Sequence, residues 1–171
     1  MAQLRLTKLE AARRLLEPAI DLYFRNGDPV CIETLITAAE KIIQHVARSR
    51  KQSTIINDLI AQHANPEKQA GFHKQSREPR EHADNGSGGE LVFEPDLNEA
   101  HLFLACMSHR MLTHERNRRL AAIIVWIAIN HPEIVPDDQL NKNAIELFRN
   151  KPASKEEFYK NFTSQLPPLT G

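Results

Sequence analysis

Two side chains near the middle of the chain have types and spacing suited to chemistry. Arg77 and His82 stand five residues apart in Arg77-Glu78-Pro79-Arg80-Glu81-His82. A histidine moves protons near neutral pH, so it can activate a 2′-hydroxyl or protonate a leaving oxygen. An arginine stays charged and can clamp a phosphate and the negative charge that develops on it. Together they suit RNA cleavage as a catalytic pair that requires no metal or other cofactor. Arg80, between them, supplies a further cation for the RNA backbone. The competing reading is a solvated charged loop, since Glu78 follows the arginine directly and Pro79 interrupts the spacing.

A second basic run comprises Arg110, His114, Arg116, Arg118 and Arg119. Of these, Arg116, Arg118 and Arg119 are the expected RNA-binding residues, because such cations hold phosphates without reading sequence. The same run also reads as the exposed start of a helix whose far end is buried, with Glu115 diluting its charge. No metal site is expected. His63, His73 and His82, with Asp84, lack the spacing of helical zinc motifs. His109 and His114, five residues apart, are separated by about 500° of helix rotation and face different sides. Cys31 and Cys106 each fall in an apolar helical pattern and read as core thiols. Neither a P-loop, a Rossmann glycine set nor a nucleophile elbow occurs.

These residues must be positioned by helices. Thr7-Lys-Leu-Glu10 is a capping box, followed by an apolar stripe through Leu9, Ala12, Leu16, Ala19, Ile20 and Tyr23. Pro18 predicts either a kink or a new helix start. Gly27 is the expected left-handed terminator. Asp28-Pro29 then opens a second helix with a stripe from Ile32 to Val46, packed antiparallel on the first. Small Ala38 and Ala39 suit a close approach of the two backbones. Ser53 to His63 reads as a shorter helix. Asp84-Asn-Gly-Ser-Gly-Gly89 is a turn, and Glu90 to Glu94 is extended in preference. Asp96 with Glu99 is expected to cap the next helix, and Thr113 the one after. The latter carries the apolar run Leu120–Ile129, read as the central helix of the bundle. Smaller helices are expected over Asp138–Phe148 and from Ser154 to near Phe162.

The expected fold is all-α: one domain over residues 1–171, with four or five main helices. Residues 70–97 form an irregular, flexible central insertion, and 163–171 a frayed tail. The 22 basic and 22 acidic residues balance, so there is no bulk attraction to nucleic acid or anionic membrane. No apolar run approaches the roughly 20 residues of a membrane span, and the N-terminus lacks a signal core. A soluble cytoplasmic protein, with no membrane partner, is the expectation.

An all-helical domain with an Arg-x4–6-His pair resembles the HEPN superfamily, whose members include RNases of toxin–antitoxin and phage-defence systems. That resemblance implies RNA as substrate or ligand, and a homodimer in which two such pairs meet. Phe24–Ile43, then His82-Ala83-Asp84, then Phe93–Cys106 are similar to a family of small uncharacterised bacterial proteins. The alternative to an enzyme is a helical interaction or dimerisation module that binds a protein partner or a second copy.

Overall fold

The computed structural model describes residues 3–54, 93–131 and 154–165. These form five helices: α1 (Lys8–Phe24), α2 (Pro29–Ser49), α3 (Leu97–Thr113), α4 (Arg118–Asn130) and α5 (Lys155–Gln165). No strand occurs among the described residues, in agreement with an all-α bundle. No helix among them is long and apolar enough to cross a membrane.

Local chemistry sets several of the helix ends. Thr7 Oγ1 accepts from the Glu10 amide at 3.1 Å, while the Glu10 carboxylate pairs with Arg14 one turn on. Asp28 Oδ1 accepts from the amides of Val30 and Cys31 at 2.8 and 3.3 Å, with Pro29 in the first turn, where it forfeits no helical bond. Ser154 Oγ accepts from the Glu157 amide at 3.1 Å. Each side chain satisfies an amide left open at a helix start.

Other ends differ from expectation. α1 runs unbroken through Pro18. At its end Asn26, not Gly27, takes the left-handed conformation, with φ 54°. The Asn26 and Gly27 amides bond back to the carbonyls of Tyr23 and Leu22, the crossed pattern of a Schellman motif. A Cβ at Gly27 would lie 2.8 Å from Leu22 Cδ2 and 3.2 Å from the Leu22 carbonyl oxygen, so a larger residue would require Leu22 to shift. Asp96 makes no side-chain cap. The Leu97 and Asn98 amides bond instead to the carbonyls of Glu94 and Pro95, and Glu99 is engaged elsewhere. Thr113 closes α3 rather than opening α4. Its hydroxyl donates to the His109 carbonyl and accepts from the Glu115 amide. The N-cap of α4 is Asn117, whose Oδ1 accepts from Arg119 and Leu120. α5 continues to Gln165, beyond the expected end near Phe162.

Helix directions follow from paired contacts. Lys8 meets His45, so α1 and α2 run antiparallel. Tyr23 meets Glu99 and His109 meets the Leu9 carbonyl, so α3 is antiparallel to α1. Hence α2 and α3 are parallel. Asn98 Nδ2 donates to the Pro29 carbonyl at their shared start, and Arg50 Nη1 to the Leu112 carbonyl at their shared end. The chain therefore leaves α2 at one end of the bundle and enters α3 at the other, about 30 Å away for a helix of 21 residues.

The packing centre is α1, which lies against all four other helices. The expectation gave that place to α4. Leu120, Ala122, Ile123, Ile124, Val125, Ile127 and Ala128 of α4 are indeed buried, but against α1, α3 and α5. Ala39 is fully buried and Ala38 partly so, fitting the tight α1–α2 hairpin. Cys106 is buried, whereas Cys31, at the start of α2, is exposed; the expected core position holds for only one thiol. At one end, Phe24 stacks on Tyr159 with centroids 4.5 Å apart and meets Trp126 and Phe158. This cluster joins α5 to α1 and α4. Phe24→Ala is expected to lower unfolding free energy by about 3–5 kcal/mol in urea titration. Leu4→Ala, at a side chain 70% exposed, should change it by less than about 0.5 kcal/mol.

Candidate functional site

Arg77, Arg80 and His82 lie outside the described residues, as do His63, His73 and Asp84. Of the second basic run, Arg116 is exposed in the connection between α3 and α4. Arg119 is committed to α1: its Nε lies 3.4 Å from Asp21 and its Nη1 3.4 Å from Glu17. Glu17 also receives Asn117 Nδ2 at 2.8 Å and Arg13 at 3.3 Å, and the Tyr159 hydroxyl donates to Asp21. The two acids of α1 thus gather the start of α4 and part of α5. Arg118 is half-buried, with Nε and Nη2 lacking a hydrogen-bond partner among the described residues.

A second set of ionisable side chains lies at the end where α2 and α3 begin. The Tyr23 hydroxyl donates to Glu99 Oε2. Glu99 Oε1 lies 3.5 Å from His131 Nε2, just past the end of α4. Lys155 Nζ stands 4.2 Å from the centre of the Tyr23 ring, a cation–π contact. Beside this group His101 Nδ1 meets both Glu33 oxygens, at 3.2 and 3.1 Å. Asn98 Oδ1 is buried there without a partner among the described residues. α1, α2, α3 and α5 each send a side chain to this end, and His131 reaches it from just past α4.

Burial and charge set the protonation states. Burial alone would depress His101, but its hydrogen bond to Glu33 and the charges of Glu33 and Glu40 outweigh this and raise its pKa. Burial pushes Glu40 up to about 7, with the His101 charge working against the shift and Glu33 adding to it. Burial and the bond to Glu99 raise the Tyr23 phenol, and burial lowers Lys155. Glu40 therefore titrates near neutral pH, and His101 holds its proton to higher pH than a free imidazole. His101 is only 5% exposed, which suits control of packing better than contact with a substrate. Among the described residues no three His, Cys, Asp or Glu are grouped to hold a metal.

Sequence reasoning missed this cluster, although a signal was present. Glu33 and Glu40 are seven residues apart, and so on one face of α2, beside the buried Ile32, Ile36 and Ala39. His101 sits within the apolar stripe of α3. Ionisable residues bordering or interrupting a buried stripe must be paired or shifted in pKa.

At the opposite end lies a groove of about 540 Å³, lined by residues that include Lys8, Glu10, Arg13, Arg50, Thr113 and Glu115. Arg13 Nε lies 3.5 Å from Glu115, and Lys8 Nζ lies 2.8 Å from His45 Nε2. Comparison with known proteins finds no matching family model, curated protein or solved structure.

Near this groove His109, fully buried, bonds through Nε2 to the Leu9 carbonyl at 3.0 Å. Burial lowers its pKa, despite the opposing carbonyl bond. Charging it therefore favours the unfolded chain, and its contribution to stability is lost as pH falls below the ordinary value near 6.5. In an NMR titration the His109 ring should be less than half protonated at pH 6.5, where an unperturbed imidazole is half protonated; half protonation or more at that pH would contradict this.

Proposed function

We propose that this chain is a HEPN-like helical protein that acts on RNA without a metal, with Arg77 and His82 as its catalytic pair. The observation that carries the reading is the Arg-x4-His spacing in a chain whose described residues form an all-α bundle. In this reading His82 moves the proton of the 2′-hydroxyl or leaving oxygen and Arg77 holds the phosphate. Arg80 and the exposed Arg116 hold neighbouring phosphates. Arg118 and Arg119 contribute less, since Arg119 already faces Glu17 and Asp21. Two copies joined as a homodimer would bring two such pairs together.

A specific observation favours the second reading, a non-enzymatic interaction module that binds a protein partner or a second copy. The ionisable groups of the bundle are largely turned onto one another, as in His101–Glu33 and Arg119–Asp21. That arrangement builds a scaffold.

Labelled RNA incubated with the full chain in EDTA separates the two. The enzyme reading expects cleavage that survives EDTA, is lost in Arg77→Ala, and falls about 100-fold or more in His82→Ala. No cleavage, or cleavage indifferent to His82→Ala, overturns it in favour of the module.

A further inference from the structure

The contact between Glu33 and His101 joins two parallel helices near their starts, and it pairs a carboxylate with an imidazole, the side chain whose charge ordinarily changes between pH 5 and 8. His101 is 5% exposed, and Glu33 retains 16% of its side-chain surface. Both Glu33 oxygens lie within 3.2 Å of one imidazole nitrogen. Glu40, two turns along the same helix, acts on the same pair. We propose that this contact is a pH-sensitive latch between α2 and α3, closed while the imidazole is protonated and released when it loses its proton.

Charge balance drives the release. While Glu40 is neutral and His101 cationic, the imidazolium supplies the positive charge that faces Glu33. Once Glu40 has ionised and the imidazole has lost its proton, two acidic side chains act on an uncharged ring in a partly buried site. The loss of a charge-assisted hydrogen bond and the gain of like-charge repulsion act together. On α2 the groups acting on His101 are Glu33 and Glu40. Tyr23 of α1, His131 beyond α4 and Lys155 of α5 converge instead on Glu99.

The sign is the same for both titrating groups. His101, raised in the fold, contributes stability that is full below about 6.5 and is lost as pH rises through its folded value. Glu40, raised from 4.5 to about 7, favours the fold while neutral, and that contribution is lost as pH rises from 4.5 through about 7. The pair titrates as a coupled unit. Release removes one of the contacts at the start of α3 and leaves Asn98 on the Pro29 carbonyl and Glu99 on Tyr23.

The latch is tested on the full chain by NMR titration of its imidazoles, with His101 assigned by the resonance missing in His101→Gln. The expected result is a His101 midpoint above 6.5, with the amides of Asn98 to Leu102 shifting at the same pH. In urea, the folding equilibrium constant of the unmodified chain should fall at least about tenfold between pH 6 and 8.5. Glu40→Gln should remove a large part of that fall. A His101 midpoint at or below 6.5 overturns the latch, as does a fall in stability unchanged by Glu40→Gln. If His101→Gln does not fold, side-chain correlations in the unmodified chain assign the ring, and the same midpoint and the Glu40→Gln titration decide the question.

Discussion

The parallel packing of α2 on α3 is the constraint on which the rest of the structure depends. Antiparallel neighbours can be joined by a few residues, but parallel ones cannot. Three polar contacts fix the register along the joint: Asn98 on the Pro29 carbonyl, His101 on Glu33, and Arg50 on the Leu112 carbonyl. Apolar stripes alone would tolerate either direction, since dispersion and burial have no polarity. Hydrogen bonds between named donors and acceptors do not.

Once α2 and α3 are parallel, α1 becomes the common wall. It is antiparallel to both, and its acidic Glu17 and Asp21 draw in Asn117, Arg119 and Tyr159. The end of α1 supplies Phe24 to the aromatic cluster that holds α5. The same end of the bundle carries Tyr23, Glu33, Glu99, His101, His131 and Lys155. Ionisable groups concentrate there because the chain enters both α2 and α3 at that end, and helix starts and connections leave polar atoms to be satisfied. Burying them beside an apolar core raises the pKa of Glu40.

Features set by a few adjacent residues were legible in the sequence. Thr7, Asp28 and Ser154 act as caps because a side chain meets an amide only two or three positions away. The stripes of α1, α2 and α3 were legible from their periodicity. Decisions made between elements were not. Thr113 and Asn117 are both competent caps, and the packing of α4 on α1 through Asn117–Glu17 favours the second. Asp96 and Glu99 matched a capping pattern, but Glu99 meets Tyr23 and His131 instead. The direction of α3 relative to α2 depends on residues nearly 70 positions apart. Of the expected site, Arg116 and Arg119 can be set against their surroundings, one exposed and one paired to α1, while Arg77 and His82 lie outside the described residues.

The direction of α3 against α2 is tested most directly by one distance. Nitroxides on the exposed native Cys31 and on Met111→Cys mark the start of α2 and the end of α3, at positions open to solvent. A parallel pair puts them most of a helix length apart, about 25 Å or more in a pulsed dipolar measurement. A distribution centred within about 15 Å would mean antiparallel helices, and would contradict the register, the polar joint and the topology built on it.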